Sequence, residues 1–282
     1  MINYNPKEWF GLIFKFHKSD TFRKLFWVII CIAIYSYLMA YFEIEVLQLR
    51  FKSTAALHTI LGFVLSILLV FRTNTAYDRW WEGRRLWGRL VNDSRSLALK
   101  LNSISSVKSH PVFPQLINYL VQYPPVLSLH LRNKKIEDSQ IPRDCHQPNF
   151  IEGRILFCLN QLREDGCLND TLLLWLNEEI RAYSEVCGAC ERIKNTPIPY
   201  SYSLFLKKFI FVYIMTMPYG FIGEFRYGVT IAVSFVFYVL ASLELIAEEI
   251  ENPFGEDAND LSLDEIAKSI ECNIKEIVKS QN

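Results

Sequence analysis

The sequence predicts an all-α membrane protein, with four transmembrane helices per subunit and a helical body outside the membrane. Three observations predict it. Four long blocks carry no charge, leucine recurs at helical spacing in the polar stretch between them, and the Val, Ile and Thr alternation of strands is scarce. Composition agrees: apolar residues make up 51% and aromatics 14% of 282 residues, while 11 Gly and 11 Pro are too few for a disordered or fibrous chain. Thirty Lys and Arg balance thirty Asp and Glu, which argues against a nucleic-acid partner, since such binders carry a basic excess.

The charge-free blocks run over residues 25–42, 53–71, 209–223 and 227–243, or 18, 19, 15 and 17 residues. At helical rise they reach about 22 to 29 Å, close to the hydrocarbon thickness of a bilayer. The third is short and carries Pro218, so it must extend back past Lys207 and Lys208 toward Tyr200. Residues 1–24 form a basic, amphipathic lead with Trp9, Phe10, Ile13 and Phe16, suited to the membrane surface and unlike a cleaved signal. Basic residues in that lead and at Arg72, Arg79, Arg84, Arg85 and Arg89 place both termini in the cytosol. The segments are therefore the lead (1–24), the first two spans (25–71), a helical cytosolic region (72–200), the last two spans (201–247) and a C-terminal part (248–282).

In the cytosolic region Leu86, Leu90, Leu97 and Leu101 share one helical face. Further helices cover 113–132, interrupted at Pro124 and Pro125, then 150–163, ending at Gly166, and 170–193, capped by Asp170. A last amphipathic helix covers 263–278. Seven cysteines are scattered singly except Cys187 and Cys190. An odd count in a mostly cytosolic chain means reduced thiols, and the pair lacks the second ligand pair of a zinc site, so small residues packing between helices account for it. The five histidines form no HExxH or other ligand pair in sequence, and phosphate-binding and nucleophile-elbow motifs are absent. Nothing marks the chain as an enzyme.

Three motifs then stand out. Residues 71–88 (FRTNTAYDRWWEGRRLWG), 190–200 (CERIKNTPIPY) and 247–261 (AEEIENPFGEDANDL) occur in an order and spacing that resemble the bacterial bestrophins over nearly the whole chain. The resemblance implies an ion channel: a homopentamer in the bacterial inner membrane, passing small monovalent ions through one central pore. It implies a hydrophobic neck at Phe63, Ile67 and Phe71 and a cytosolic aperture at Phe205. Spacing by four puts the neck residues on one helical stripe, which by itself fits lipid contact or ordinary packing.

The resemblance leaves the sign of the ion open between cation-selective bacterial and chloride-selective animal members. The bacterial look of the motifs leans toward monovalent cations, and Glu244, Glu248, Glu249 and Glu251, crowding the end of the fourth span, would concentrate cations if some of them face the pore. The other reading of these glutamates is that they solvate the helix end or pair with Arg72, Arg79 and Arg84. Asn252, Glu256, Asp257 and Asp260 match the place of a calcium clasp in animal relatives, but Ala258 and Asn259 interrupt its acidic run, and a helix-terminating turn with Asp260 or Ser262 capping the next helix is the simpler account. No other cofactor is implied. A secondary transporter and a membrane-anchored redox protein built on Cys187 and Cys190 are the rival classes.

Overall fold

The computed structural model describes residues 21–47, 55–136 and 141–279. The expected amphipathic lead lies almost wholly outside them. Among the described residues there is no β-strand, and the long elements are eight helices: α1 (Thr21–Tyr41), α2 (Ala55–Ser103), α3 (Phe113–Leu131), α4 (Gln147–Glu164), α5 (Asp170–Asn195), α6 (Tyr200–Phe225), α7 (Val229–Glu251) and α8 (Leu263–Lys279). They fall into two compact units, with α2 continuing from one into the other.

The first unit holds α1, the start of α2, α6 and α7. Among the described residues, three stretches are long and apolar enough to cross a membrane: Thr21–Leu47, Ala55–Ser103 and Tyr200–Glu251. The last comprises α6 and α7, joined by a 3-10 turn at Arg226–Gly228 where Arg226 takes φ 48°. As expected from its short apolar core, α6 does begin at Tyr200, and Lys207 pairs with Glu248 of α7 at 2.9 Å. The core gathers Ile32, Leu65, Leu69, Ile210, Ile214 and Val233. Hydrogen bonds fix the helices where apolar packing has no direction. Tyr35 donates to the Met215 carbonyl at 2.8 Å and Tyr202 to the Leu68 carbonyl at 3.0 Å. Gly62 permits the closest approach, since a Cβ there would lie 2.7 Å from the Tyr213 hydroxyl.

Along α2, hydroxyls bond back to their own helix. Thr59 donates to the Ala55 carbonyl and Ser66 to that of Gly62, both at 2.8 Å, and Thr75 donates to that of Phe71 at 2.9 Å. A polar side chain can thereby sit on an apolar helix without an unsatisfied donor.

The second unit contains the rest of α2 with α3, α4, α5 and α8. Leu90, Leu97 and Leu101 are fully buried as their spacing predicts, but Trp87 fills the next core position while Leu86 is only partly covered. The expected interruption at Pro124 and Pro125 does not occur: α3 runs unbroken through both. Each proline removes one helical N–H bond, yet buried Tyr123, Val126 and Leu127 around them gain more from packing than the helix loses. The caps also move. Asn169, not Asp170, caps α5, accepting from the Leu172 N–H at 2.8 Å, and α4 starts three residues before 150, capped by the His146 side chain. Gly166, at φ 74°, ends α4 as expected, with the Cys167 N–H reaching the Leu162 carbonyl at 2.8 Å.

Several buried polar groups in this unit are tied in pairs. Tyr123 donates to the Tyr183 carbonyl at 2.8 Å, and Tyr183 to the Ser94 hydroxyl at 2.9 Å. Glu179 is buried, and burial alone would raise its pKa. The Lys100 ammonium and the Ser96 hydroxyl, each 2.7 Å from a carboxylate oxygen, outweigh that and hold it below its usual 4.5. A depressed carboxyl pKa contributes stability that is present above the unfolded value and lost as pH falls through the folded one. Glu179→Gln should therefore cost about 1–3 kcal/mol at neutral pH. It should also flatten the loss of thermal stability below pH 4.5, read by fluorescence-monitored melting of the detergent-solubilised protein.

Candidate functional site

Residues from each of the three motifs meet inside the first unit. Arg72 of α2 is only 1% exposed and donates from Nη2 to Glu251 Oε2 at 2.7 Å, with its Nε 3.5 Å from Glu244. Arg79, two turns on, donates to the backbone carbonyl of Glu251 at 3.0 Å. The Ile198 N–H, in the Pro-Ile-Pro segment, takes the other Glu251 oxygen at 2.7 Å. Glu249 pairs with Lys24 of α1 and accepts from the Asn259 side chain at 2.7 Å. Lys24, Arg72 and Arg79 thus face Glu244, Glu249 and Glu251, a balanced set at the junction of α1, α2 and α7. The buried Arg72 guanidinium meets the two carboxylates of Glu244 and Glu251, which offsets the hydration it has lost.

The glutamates singled out as an acidic lining are therefore committed elsewhere. Glu244 and Glu249 are buried, Glu251 serves Arg72 and Ile198, and Glu248 meets Lys207.

Phe63, Ile67 and Phe71 lie on one face of α2, at 67%, 41% and 61% exposure, opposite the buried Leu65, Leu69 and Arg72. An apolar stripe this open is covered by something outside the single chain. Phe205 lies on α6 at 55% exposure, its ring 5.9 Å from that of Phe209.

The segment after α7 does not treat its oxygen ligands alike. Asn252 and Asp257 are exposed and Asp260 is buried, while Glu256 is held by Lys134 at 2.5 Å and lies 4.0 Å from Arg132. Lys134 keeps the Glu256 carboxyl below its usual range. Within the second unit Phe254 is fully buried against Gly83, where a Cβ would come within 3.1 Å of its ring. Arg132 donates to the Gly255 carbonyl at 3.2 Å and to both oxygens of Asp264 at 2.9 and 2.8 Å.

Sequence reading missed one cluster. His130, His146 and Glu191, expected to form no ligand set, come together from distant positions in the chain. Cys187 and Cys190 are buried on α5. Burial pushes the Cys187 thiol up to about 12 and the Cys190 thiol higher still, the reverse of what a redox thiol needs.

Long apolar helices with a buried charge cluster at their ends define, among the described residues, a helical membrane protein. A profile described as bacterial/fungal bestrophin protein matches residues 1–276. The chain belongs to the bestrophin family of ion channels and is not an enzyme. It is 33% identical over 285 positions to the voltage-dependent anion channel-forming protein alr2987 of Nostoc sp., covering 96% of this chain and 92% of that one. The corresponding figures for the voltage-dependent anion channel-forming protein YneE of Escherichia coli K12 are 32% over 239 positions, 80% and 78%. A crystal structure of a mutated bacterial bestrophin homologue from Klebsiella pneumoniae aligns with a TM-score of 0.82 at 28% identity, covering 90% and 99% of the two chains.

Arg72→Ala should destabilise the protein by about 3–5 kcal/mol, because it strands two carboxylates in a buried place. Melting in detergent should show that loss, and Arg72→Met combined with Glu244→Leu should recover part of it.

Proposed function

We propose that the chain forms a homopentamer of four-helix subunits in the bacterial inner membrane, with both termini cytosolic, and passes small monovalent ions passively. In this reading α1, α2, α6 and α7 are the four spans. Phe63, Ile67 and Phe71 form the neck and Phe205 the cytosolic aperture. The observation that carries it is the exposed apolar stripe on α2. Five copies around an axis would stack it into three rings without hydrogen-bonding groups. A narrow apolar ring excludes water readily and so acts as a gate, favouring ions that dehydrate easily.

Cations are placed ahead of anions. The match to the bacterial branch supports this. Anion passage is the second reading, favoured by the pairing of Glu244, Glu249 and Glu251 with bases and by the names of the relatives. Conduction in either reading needs no resident cofactor. For calcium to regulate it through Asn252, Glu256, Asp257 and Asp260, Glu256 would first have to release Lys134.

Single-channel recording in planar bilayers under a KCl gradient tests the proposal. Steps reversing near the potassium potential are expected, and reversal near the chloride potential would give the second reading. Ile67→Ala should raise unitary conductance by about 2-fold or more, by widening the narrowest ring. Unchanged conductance would remove Ile67 from the pore.

A further inference from the structure

His130 near the end of α3, His146 at the cap of α4 and Glu191 near the end of α5 meet across 45 and 61 residues of chain. Glu191 Oε1 lies 2.6 Å from His130 Nε2 and 2.7 Å from His146 Nε2, and the imidazole centres are 4.4 Å apart. All three ligand atoms lie within 4.8 Å of one another. The side chains are 28%, 34% and 29% exposed, open enough to admit an ion and leave room for a water.

We propose that these three side chains bind one first-row divalent transition ion, zinc foremost, which ties α3, α4 and α5 together. Two imidazole nitrogens and one carboxylate oxygen are a zinc donor set with the fourth position left for water. Calcium and magnesium need six or more oxygens and fit this set poorly. Around a tetrahedral ion the donors stand about 3.3 Å apart. Each Glu191–imidazole distance therefore has to open by about 0.6 Å, while the two imidazole nitrogens, within 4.8 Å of one another, settle to the same spacing. The ion takes over the role of the two N–H protons that point at Glu191, and its charge neutralises the carboxylate in their place.

His146 gives the site a second signature. Its Nδ1 accepts the Asn149 N–H at 3.2 Å, which puts the ring proton on Nε2, facing Glu191. Metal at Nε2 moves that proton to Nδ1, and the Asn149 amide loses its acceptor. Binding therefore strengthens the link between three helices while loosening the first turn of α4. The neighbouring Lys194 ammonium is engaged with the His130 carbonyl at 3.1 Å and the Asn133 side chain at 2.6 Å.

The test uses the full chain in detergent, stripped of metal, with Cys31→Ser and Cys272→Ser removing the exposed thiols. Calorimetric titration with zinc chloride should give one saturable site per chain. His130→Gln, Glu191→Gln and His146→Asn, the last keeping a capping side chain, should each weaken it by at least about 10-fold. Cobalt in the site should show the spectrum of nitrogen and oxygen ligands without thiolate charge-transfer bands. Amide exchange at Asn149 should rise on adding zinc. No saturable binding, thiolate bands with cobalt, or an affinity unmoved by both His130→Gln and Glu191→Gln would overturn the proposal. The titration and the cobalt spectrum of the parent protein stand even if a variant misfolds.

Discussion

The first unit depends on one buried cation. A guanidinium almost without solvent contact has lost several kcal/mol of hydration, and only opposite charges at close range restore it. Arg72 finds Glu251 and Glu244 on α7, so the rotation of α2 about its own axis is set at that residue. Helical periodicity does the rest: with Arg72 turned inward, Phe71, Ile67 and Phe63 must turn outward. The orientation of the apolar stripe is thus a consequence of an ion pair below it. Glu251 extends the constraint by accepting the Ile198 N–H, which fixes the start of α6 to the same point.

The second unit reaches order by another route. Its buried polar groups are few and mostly paired across helices, while leucine, tyrosine and Trp87 fill the core. Arg132 closes the segment after α7 onto α8 through the bidentate grip on Asp264 and the hydrogen bond to the Gly255 carbonyl. The guanidinium suits that role because its planar fork presents several donors at once.

The apolar helices were legible in the sequence because an uninterrupted run of uncharged residues has few other destinations. The beginning of α6 at Tyr200 was legible for the same reason, since the apolar run alone was too short. Local signals near helix ends were less decisive. Asn169 and Asp170 are both good caps, and only the direction of the side chain chooses between them. Pro124 and Pro125 predict a break from local geometry alone, and burial of their neighbours overrides it. Leu86 and Trp87 are adjacent and both apolar, so spacing alone did not tell which would enter the core. Partners of opposite charge were the least legible. Arg72 and Glu251 lie 179 residues apart, and His130 and Glu191 61 apart, with no spacing rule to join them. The three motifs nonetheless contained most members of the charge cluster, although nothing in their order revealed that they touch.

The hydroxyls of Thr59, Ser66 and Thr75 have a directional consequence. Each proton is committed to a carbonyl of its own helix, so each oxygen turns only lone pairs toward its surroundings. Thr59 and Ser66 flank the stripe of Phe63 and Ile67 on the exposed side of α2. A permeating species shedding part of its water beside Thr59 and Ser66 would meet oxygen acceptors there. In the pore proposed above, such oxygens would stand in for part of the hydration shell of a positive ion more readily than for that of a negative one.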